Sequence, residues 1–184
     1  MHIDSAPGFA QTPHGSAAMI ASAEPACATR LRAAVDAATP LLLALPDDAV
    51  RYRAAPARWS PAEVIGHLVD SASNNQMRFV RAADQNDLVF AGYAQDEWVS
   101  RQQYQAAPWE DLVVLWQLYN RQLARVMTAT PVEVRMRLHQ RHSLHRVAFR
   151  PVPENRSTTL DYFMNDYVDH LEHHLAQVLV PSDA

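Results

Sequence analysis

Apolar residues recur at helical spacing over four long segments of this chain, and each segment predicts one helix. The alternation typical of half-buried strands is hard to find, and only 4 glycines among 184 residues leave little material for hairpin turns. The predicted helices run from about Pro25 to Leu45 with an interruption near Pro40, from Ser60 to about Ala83, from about Trp109 to Thr130, and from near Ser157, Thr158 or Thr159 to Val180. The pattern predicts an all-α fold, a four-helix bundle.

The second helix has the clearest start signal. Ser60 occupies the N-cap, Pro61 the first helical position, and Glu63 lies three residues after the cap, which together form a capping box. At the other end of the chain, Pro181 stops the fourth helix because proline cannot continue a helix.

Two connectors of about 25 residues are too long for simple hairpins. Residues 84–108 predict a functional loop that contains one short helix. Residues 131–159, rich in arginine and histidine, predict an irregular crossover at the surface. We expect four antiparallel helices with at least one long crossover connection. Residues 1–22 are interpreted as a flexible N-terminal arm and residues 23–184 as a single bundle domain.

Charge and composition exclude several classes of function. The formal net charge is −4, and all 16 basic residues are arginine. A net negative charge gives no indication of a nucleic-acid-binding surface. No run of about 18 apolar residues occurs, so no membrane-spanning helix is expected. Because Cys27 is the only cysteine, no disulfide can form within the chain, and we expect a cytoplasmic protein.

The stretch DHLEHHLAQ, residues 169–177, places three histidines on the fourth helix. The apolar residues of that helix cluster within about 80° on a helical projection. They are Leu160, Met164, Tyr167, Leu171, Leu175 and Val178. His170 and His174 lie one turn apart along an edge of this face, whereas His173 points to solvent. The spacing predicts that His170 and His174 share a metal ion and that His173 does not bind it.

The second helix offers a third ligand and a polar stripe. Its inward face is formed by Val64, Leu68, Ala72, Asn75 and Phe79. Beside that face, four polar residues recur at spacings of four, three and four, within about 60° of one another. They are His67, Ser71, Asn74 and Arg78. Such a stripe is expected of a cavity wall between bundle helices. A lone histidine like His67 is more often a packing residue than a ligand, but it is the candidate that complements the H-x-x-x-H pair.

The remaining histidines and aromatic residues have simpler interpretations. His139, His142 and His145 lie in the arginine-rich crossover and are interpreted as a solvated loop, with an influence on substrate charge as the alternative. His2 and His14 belong to the N-terminal arm. Five aromatic residues are interpreted as core, with a cavity lining as the alternative. They are Trp59, Tyr93, Trp98, Trp109 and Trp116.

Three stretches resemble the DinB/YfiT-like superfamily of metal-binding four-helix bundles, and most closely its YfiT-like branch. They are RWSPAEVIGHLVDSASNNQMRF at 58–79, YAQDEW at 93–98 and DYVDHLEHHLAQV at 166–178. In that family a histidine of the second helix and an H-x-x-x-H pair of the last helix hold a divalent metal. The resemblance therefore implies His67, His170 and His174 as metal ligands.

One position departs from the family pattern. YfiT-like proteins often carry a further histidine in a D-S-H-x-N-S run of the second helix, whereas this chain reads DSASNN with Ala72 there. The departure bears on the substrate and leaves the three metal ligands intact.

The family's best understood members transfer or use low-molecular-weight thiols. The resemblance therefore implies a metal-dependent enzyme, and a thiol S-transferase is the first candidate for its activity. A three-histidine site suits zinc, nickel, iron or copper, and the bound ion would hold a thiol co-substrate as its thiolate. Arg78 and Asn74 are the candidates for binding the carboxylates of the thiol or orienting the electrophile. The expected partners are a small-molecule substrate and a second copy of the chain in a homodimer.

Two other functions stay open. Other members of the family have been described as metal-dependent hydrolases, and hydrolysis would need a general base such as Asp70, Asp96 or Glu97. Alternatively, the protein is a non-catalytic, stress-associated bundle whose ion only ties the second helix to the fourth.

Overall fold

The structure is a computed structural model that describes residues 24–180, so the predicted arm at residues 1–22 lies outside it. Within this range the chain forms eight α-helices. They are α1 (Ala26–Leu43), α2 (Asp47–Arg51), α3 (Pro61–Ala82), α4 (Gln95–Gln102), α5 (Trp109–Ala129), α6 (Val132–Arg135), α7 (Leu144–Val147) and α8 (Leu160–Leu179), with a 3-10 turn at Tyr104–Ala106. The described residues contain no sheet, only two isolated bridges. The predicted all-α class is confirmed, and α1, α3, α5 and α8 are the four long helices.

The capping box at the start of α3 is present as predicted. The backbone N–H of Glu63 donates to Ser60 Oγ over 3.3 Å, and the backbone N–H of Ser60 donates to Glu63 Oε2 over 2.9 Å. The carboxylate of Glu63 also pairs with Arg53. Since these bonds satisfy N–H groups that a helix otherwise leaves free, they determine where α3 begins.

Each long helix packs against two others: α1 contacts α5 and α8, and α3 contacts the same two helices. The first two long helices, α1 and α3, therefore lie diagonally opposite each other in the bundle. The Asp36–Arg121 ion pair and the hydrogen bond from Trp109 Nε1 to the Leu42 carbonyl show that α1 and α5 are antiparallel. Helices α3 and α8 are also antiparallel, because Phe79 packs on Phe163 while the start of α3 faces the end of α8.

The expectation of antiparallel packing throughout is wrong for α3 and α5. The Tyr104 hydroxyl, just before α5, donates to Asp70 over 2.8 Å, in the first half of α3. Further along, Asn120 of α5 accepts from the Tyr167 hydroxyl over 2.5 Å, and the ring of Tyr167 packs on Phe79 near the end of α3. Helices α3 and α5 thus run in the same direction, and so do the packed helices α1 and α8, because α1 is antiparallel to α5 and α8 is antiparallel to α3. Residues 83–108 form the crossover that parallel neighbours need.

The second crossover also differs from its prediction as a solvated loop. His139 and His142 are buried, and only His145 is partly exposed. The His139 ring donates from Nδ1 to the Asn86 carbonyl over 2.8 Å, and the His142 ring donates from Nε2 to the Arg156 carbonyl over 2.7 Å. The His139 bond joins the second crossover to the first, and the His142 bond closes the second crossover on itself, so these rings hold the connectors together.

The core lies along the axis of the four long helices. Its largest fully buried side chains include Trp116, Tyr167, Phe79 and Phe163. Trp109 is also buried, so two of the five aromatic residues belong to the core. None of the helices in residues 24–180 is both long and apolar enough to cross a membrane.

Gly66, one residue before His67, allows the crossover to approach α3. A Cβ at this position would lie 2.1 Å from the Cγ and Cδ2 atoms of Tyr104. The Tyr104 ring cannot withdraw without loss of its hydrogen bond to Asp70. We therefore expect Gly66→Ala to lower the free energy of unfolding by about 1 to 3 kcal/mol through overpacking.

Urea denaturation of the Gly66→Ala and Gly92→Ala variants measures this effect. Gly92 is the matched control, because a Cβ there would meet nothing within 4 Å. Equal midpoints for both variants would contradict the close approach of Tyr104 to α3.

Candidate metal centre

Three imidazoles converge where the start of α3 faces the end of α8. His67 comes from α3 and His170 and His174 from α8, and one ligand atom of each lies within 4.8 Å of the others. The Nε2 atoms of His67 and His170 are 3.3 Å apart. Two nitrogens that bind one tetrahedral ion at about 2.0 to 2.1 Å are separated by about 3.3 Å. The observed separation therefore fits two ligands of a single ion.

Neighbouring side chains orient two of the imidazoles. His174 Nδ1 lies 2.9 Å from Gln177 Oε1, and a proton on Nδ1 would donate to that oxygen and leave Nε2 free to bind a metal. His170 Nδ1 lies 3.5 Å from Ser71 Oγ. His67 Nδ1 is buried and has no hydrogen-bond partner among the described residues. Nε2 is thus the ligating atom that the contacts of His170 and His174 favour.

The environment of the cluster keeps the imidazoles neutral. Burial lowers the pKa of His67 to about 4, with a smaller contribution from His174. Burial and the neighbouring histidines lower the pKa of His170 to about 2, and burial also lowers the pKa of His174. Only neutral imidazole has a lone pair for a metal, so all three rings are in the protonation state that ligation requires at neutral pH.

His173 lies outside this cluster, on the solvent side of α8. Its side chain is exposed, and its Nε2 accepts a hydrogen bond from Gln177 Nε2 over 2.9 Å. The single amide of Gln177 thereby serves both histidines, accepting from His174 and donating to His173. The structure places His173 on the side of the helix that its phase predicts.

A cavity of about 330 Å³ adjoins His67 and His170. It lies between α3, α8, the loop before α4 and the α7 segment. Its polar lining comprises Ser71, Asn75, Arg78, Tyr93, Gln95, Arg146 and Asp166, and its apolar side chains include Val147, Phe149 and Phe163. The candidate metal centre is therefore open, through His67 and His170, to a polar compartment large enough for a small ligand.

Arg78 is the buried cation of this cavity, with 5% of its surface exposed. Its Nη2 donates to the Ala91 carbonyl over 2.8 Å, and its Nη1 donates to Asn75 Oδ1 over 3.3 Å. Arg78 forms no ion pair within residues 24–180. Burial lowers the pKa of its guanidinium, which remains charged because that pKa starts far above neutrality.

Asn74, the other predicted candidate, does not reach the cavity. Its side-chain amide donates to the Asp70 carbonyl one turn earlier, over 2.9 Å. The inward position belongs to the next residue, Asn75, which is buried and donates to the Ser71 carbonyl over 2.9 Å. Asn75 also accepts from Arg78, so it is the amide that orients the guanidinium.

The three acids considered as general bases also lie elsewhere. Asp70 is buried and accepts from Gln102 and Tyr104, which ties the crossover to α3. Asp96 lines a separate cavity of about 550 Å³, and Glu97 pairs with Arg101 at the surface. None of these three side chains lines the cavity at the candidate metal centre.

Asp166 is the carboxylate that does line the cavity, and the sequence-based prediction missed it. Its two oxygens accept backbone N–H groups of Phe149 over 2.9 Å and Arg150 over 2.7 Å. Burial raises its pKa despite these two donors. A signal was available, because Asp166, His170 and His174 follow one another at spacings of four along the same edge of α8.

The other three aromatic residues are not fully buried, and of these Trp59 packs against the core. The Trp59 ring is 5.0 Å from the ring of His67. Tyr93 lines the cavity, burial raises its pKa to about 12, and its ring packs 4.8 Å from that of Trp98. The alternative interpretation as cavity lining therefore holds for Tyr93, while Trp59 packs against a candidate ligand.

Fold and site together define a helical bundle with a candidate three-histidine metal centre beside a polar cavity. The sequence profile of the DinB superfamily matches residues 30–178, and the chain belongs to this superfamily. A search of curated proteins gave no match.

A solved structure from Bacillus subtilis shares the fold. It is YfiT, described as a probable metal-dependent hydrolase with an unusual four-helix bundle topology. The TM-score is 0.67 at 18% sequence identity, and the match covers 83% of this chain and 81% of YfiT. At this identity the likeness shows the fold, and the predicted DinB/YfiT-like bundle is confirmed.

Proposed function

We propose that this protein is a metal-dependent enzyme, a thiol S-transferase in which His67, His170 and His174 hold a divalent ion. The observation that carries the proposal is the convergence of three neutral imidazoles, two of which, His67 and His170, line a polar cavity. Zinc, nickel, iron and copper are the ions that imidazole ligands suit. Such an ion, when bound, stabilises the anionic form of a thiol or of water and so supplies a nucleophile at neutral pH.

The residues of the chain then bind and orient the reactants. Ser71 and Gln177 fix the rings of His170 and His174. Arg78 attracts an anionic group at the other end of the cavity. The thiol loses its proton to solvent, its sulfur forms a bond to an electrophilic carbon, and the leaving group departs with the electron pair of the broken bond.

The arrangement of acids favours a thiol over water as the nucleophile. Hydrolysis needs a general base within hydrogen-bond reach of the attacking water. Asp70, Asp96 and Glu97 do not line the cavity, so Asp166 is the one carboxylate of the described lining that could act as this base, and each of its oxygens already accepts one backbone N–H group. A thiol that binds as thiolate needs no such base, so the cavity fits thiol transfer better.

Metal-dependent hydrolysis is the second candidate. It is supported by Asp166, the carboxylate in the cavity, whose pKa burial raises toward the range of a useful base. The description of YfiT as a probable metal-dependent hydrolase supports it as well.

Calorimetry with a panel of cellular low-molecular-weight thiols tests the transferase. We expect at least one thiol to bind metal-loaded protein about tenfold or more tightly than metal-free protein, since a thiolate ligand requires the ion. The S-methylated form of each thiol is the matched control and should not show this preference. If every thiol binds both forms of the protein equally, the transferase proposal fails, and ester and amide substrates then test hydrolysis.

A further inference from the structure

We propose that the Arg78 end of the cavity is a carboxylate-binding subsite, so that the small-molecule substrate carries a carboxylate group. The term substrate rests on the proposed function, whereas the binding of a carboxylate by Arg78 does not depend on a metal.

The guanidinium of Arg78 is buried without a counter-charge. Its two hydrogen-bond acceptors in the protein, Asn75 Oδ1 and the Ala91 carbonyl, are both neutral. A guanidinium has five N–H donors, so further donors remain for a ligand in the cavity that it lines. Since burial of an unpaired charge is unfavourable, an anionic ligand completes this site.

The other charged groups of the cavity leave its positive charge uncompensated. Arg146 adds a second guanidinium at the exposed side. Asp166 is the only acidic residue in the lining, and its oxygens are directed to the backbone of Phe149 and Arg150. Tyr93 stays neutral, because burial raises its pKa to about 12. The cavity therefore favours an anion.

The size and geometry of the cavity favour a small carboxylate. The helical rise places the Cα atoms of His67 and Arg78 about 16 Å apart along α3. The arginine side chain leans back toward the start of the helix, which brings its guanidinium closer to His67 than this distance. A volume of about 330 Å³ is near the lower limit for ligand pockets. A single buried guanidinium balances one negative charge, and its planar fork matches a carboxylate.

The opposing interpretation is that Arg78 only fastens the loop at Ala91 to α3. A purely structural arginine would leave the protein indifferent to the charge of a ligand. The two interpretations therefore differ in ligand selectivity, which can be measured on metal-free protein where no ion attracts the anion.

Calorimetry on metal-free wild-type protein with butyrate, butyramide, glutarate and inorganic phosphate is the first test. We expect the carboxylates to bind about tenfold or more tightly than the amide of the same shape, as for a charged hydrogen bond. Equal binding of butyrate and butyramide would overturn the proposal. Tighter binding of phosphate than of either carboxylate would overturn the assignment to a carboxylate.

Variants of Arg78 are the second test. We expect Arg78→Gln to weaken carboxylate binding about 10- to 100-fold, and Arg78→Lys to lose less, because lysine keeps the charge but not the fork. Arg81→Gln is the matched control on the exposed side of the same helix and should bind as wild type. An equal loss in Arg81→Gln would overturn the proposal. If the Arg78 variants do not fold, the wild-type comparison of acid and amide decides alone.

Metal analysis separates this proposal from the proposed function. Carboxylate selectivity in metal-free protein together with absence of metal binding would refute the enzyme and retain the subsite. Metal and thiol binding without carboxylate selectivity would retain the enzyme and refute the subsite.

Discussion

Substitution of His67, His170 or His174 by alanine should abolish stoichiometric binding of a divalent ion, whereas His173→Ala should bind it as wild type. The first three rings supply ligand atoms within 4.8 Å of one another, and His173 points to solvent. Loss of an outer partner of a metal ligand already lowers metal affinity about 10- to 100-fold, so loss of a ligand should lower it by more than about 100-fold. Elemental analysis of protein purified without an affinity tag measures the stoichiometry.

His173→Ala is a close control, because it changes the same residue type one position from His174 and leaves Gln177 in place. Thermal unfolding in chelator checks that each variant is folded. Loss of metal in His173→Ala with retention in His174→Ala would show that the end of α8 presents a different face.

Helical periodicity was sufficient to predict the two helices that carry the candidate metal ligands and the side of each helix on which these ligands lie. The bounds of α3 follow from local chemistry, since Ser60 and Glu63 form the capping box that their spacing predicts. The convergence of His67 with His170 and His174 required only that α3 and α8 pack together with their polar edges facing. The capping box depends on residues close in sequence, and the packing of α3 on α8 follows from their amphipathic faces. A sequence pattern encodes both kinds of information.

Periodicity placed Asn75 on the inward face of α3 and Asn74 in the polar stripe beside it, but Asn74 rather than Asn75 was chosen as the candidate for ligand binding. Asn74 and Asn75 differ by one position, about 100° on the helix, so they lie on different sides of α3. Asn75 is buried beside Arg78, while Asn74 bonds to its own helix. Angular position was therefore sufficient for His173 and Asn75, whereas Asn74, grouped with the cavity-lining stripe, bonds to the Asp70 carbonyl instead.

The contacts of the two crossovers could not be predicted from the sequence pattern for a different reason. His139 and His142 are buried because their rings meet the carbonyls of Asn86 and Arg156, which lie 53 and 14 residues away in the chain. No local spacing marks such partners. The parallel course of α3 and α5 is equally non-local, because it depends on where residues 83–108 attach to α3. The arginine-rich composition of residues 131–159 suggested solvent exposure and concealed these contacts.

Asp166→Ala should lower the free energy of unfolding by about 2 to 4 kcal/mol, because it removes two hydrogen bonds to a carboxylate, partly offset by relief of a buried charge. These bonds hold Phe149 and Arg150, next to the cavity wall, against α8.

Burial raises the pKa of Asp166, so the folded state binds the proton more tightly than the unfolded state. The stability advantage of wild type over the variant should therefore grow as the pH falls from about 7 to about 4. Denaturant titrations across this range measure it, with Glu172→Ala as the control at an exposed ion pair of the same helix, worth about 0 to 1 kcal/mol. An advantage that shrinks on acidification would show that the two N–H donors, rather than burial, control the ionisation of Asp166.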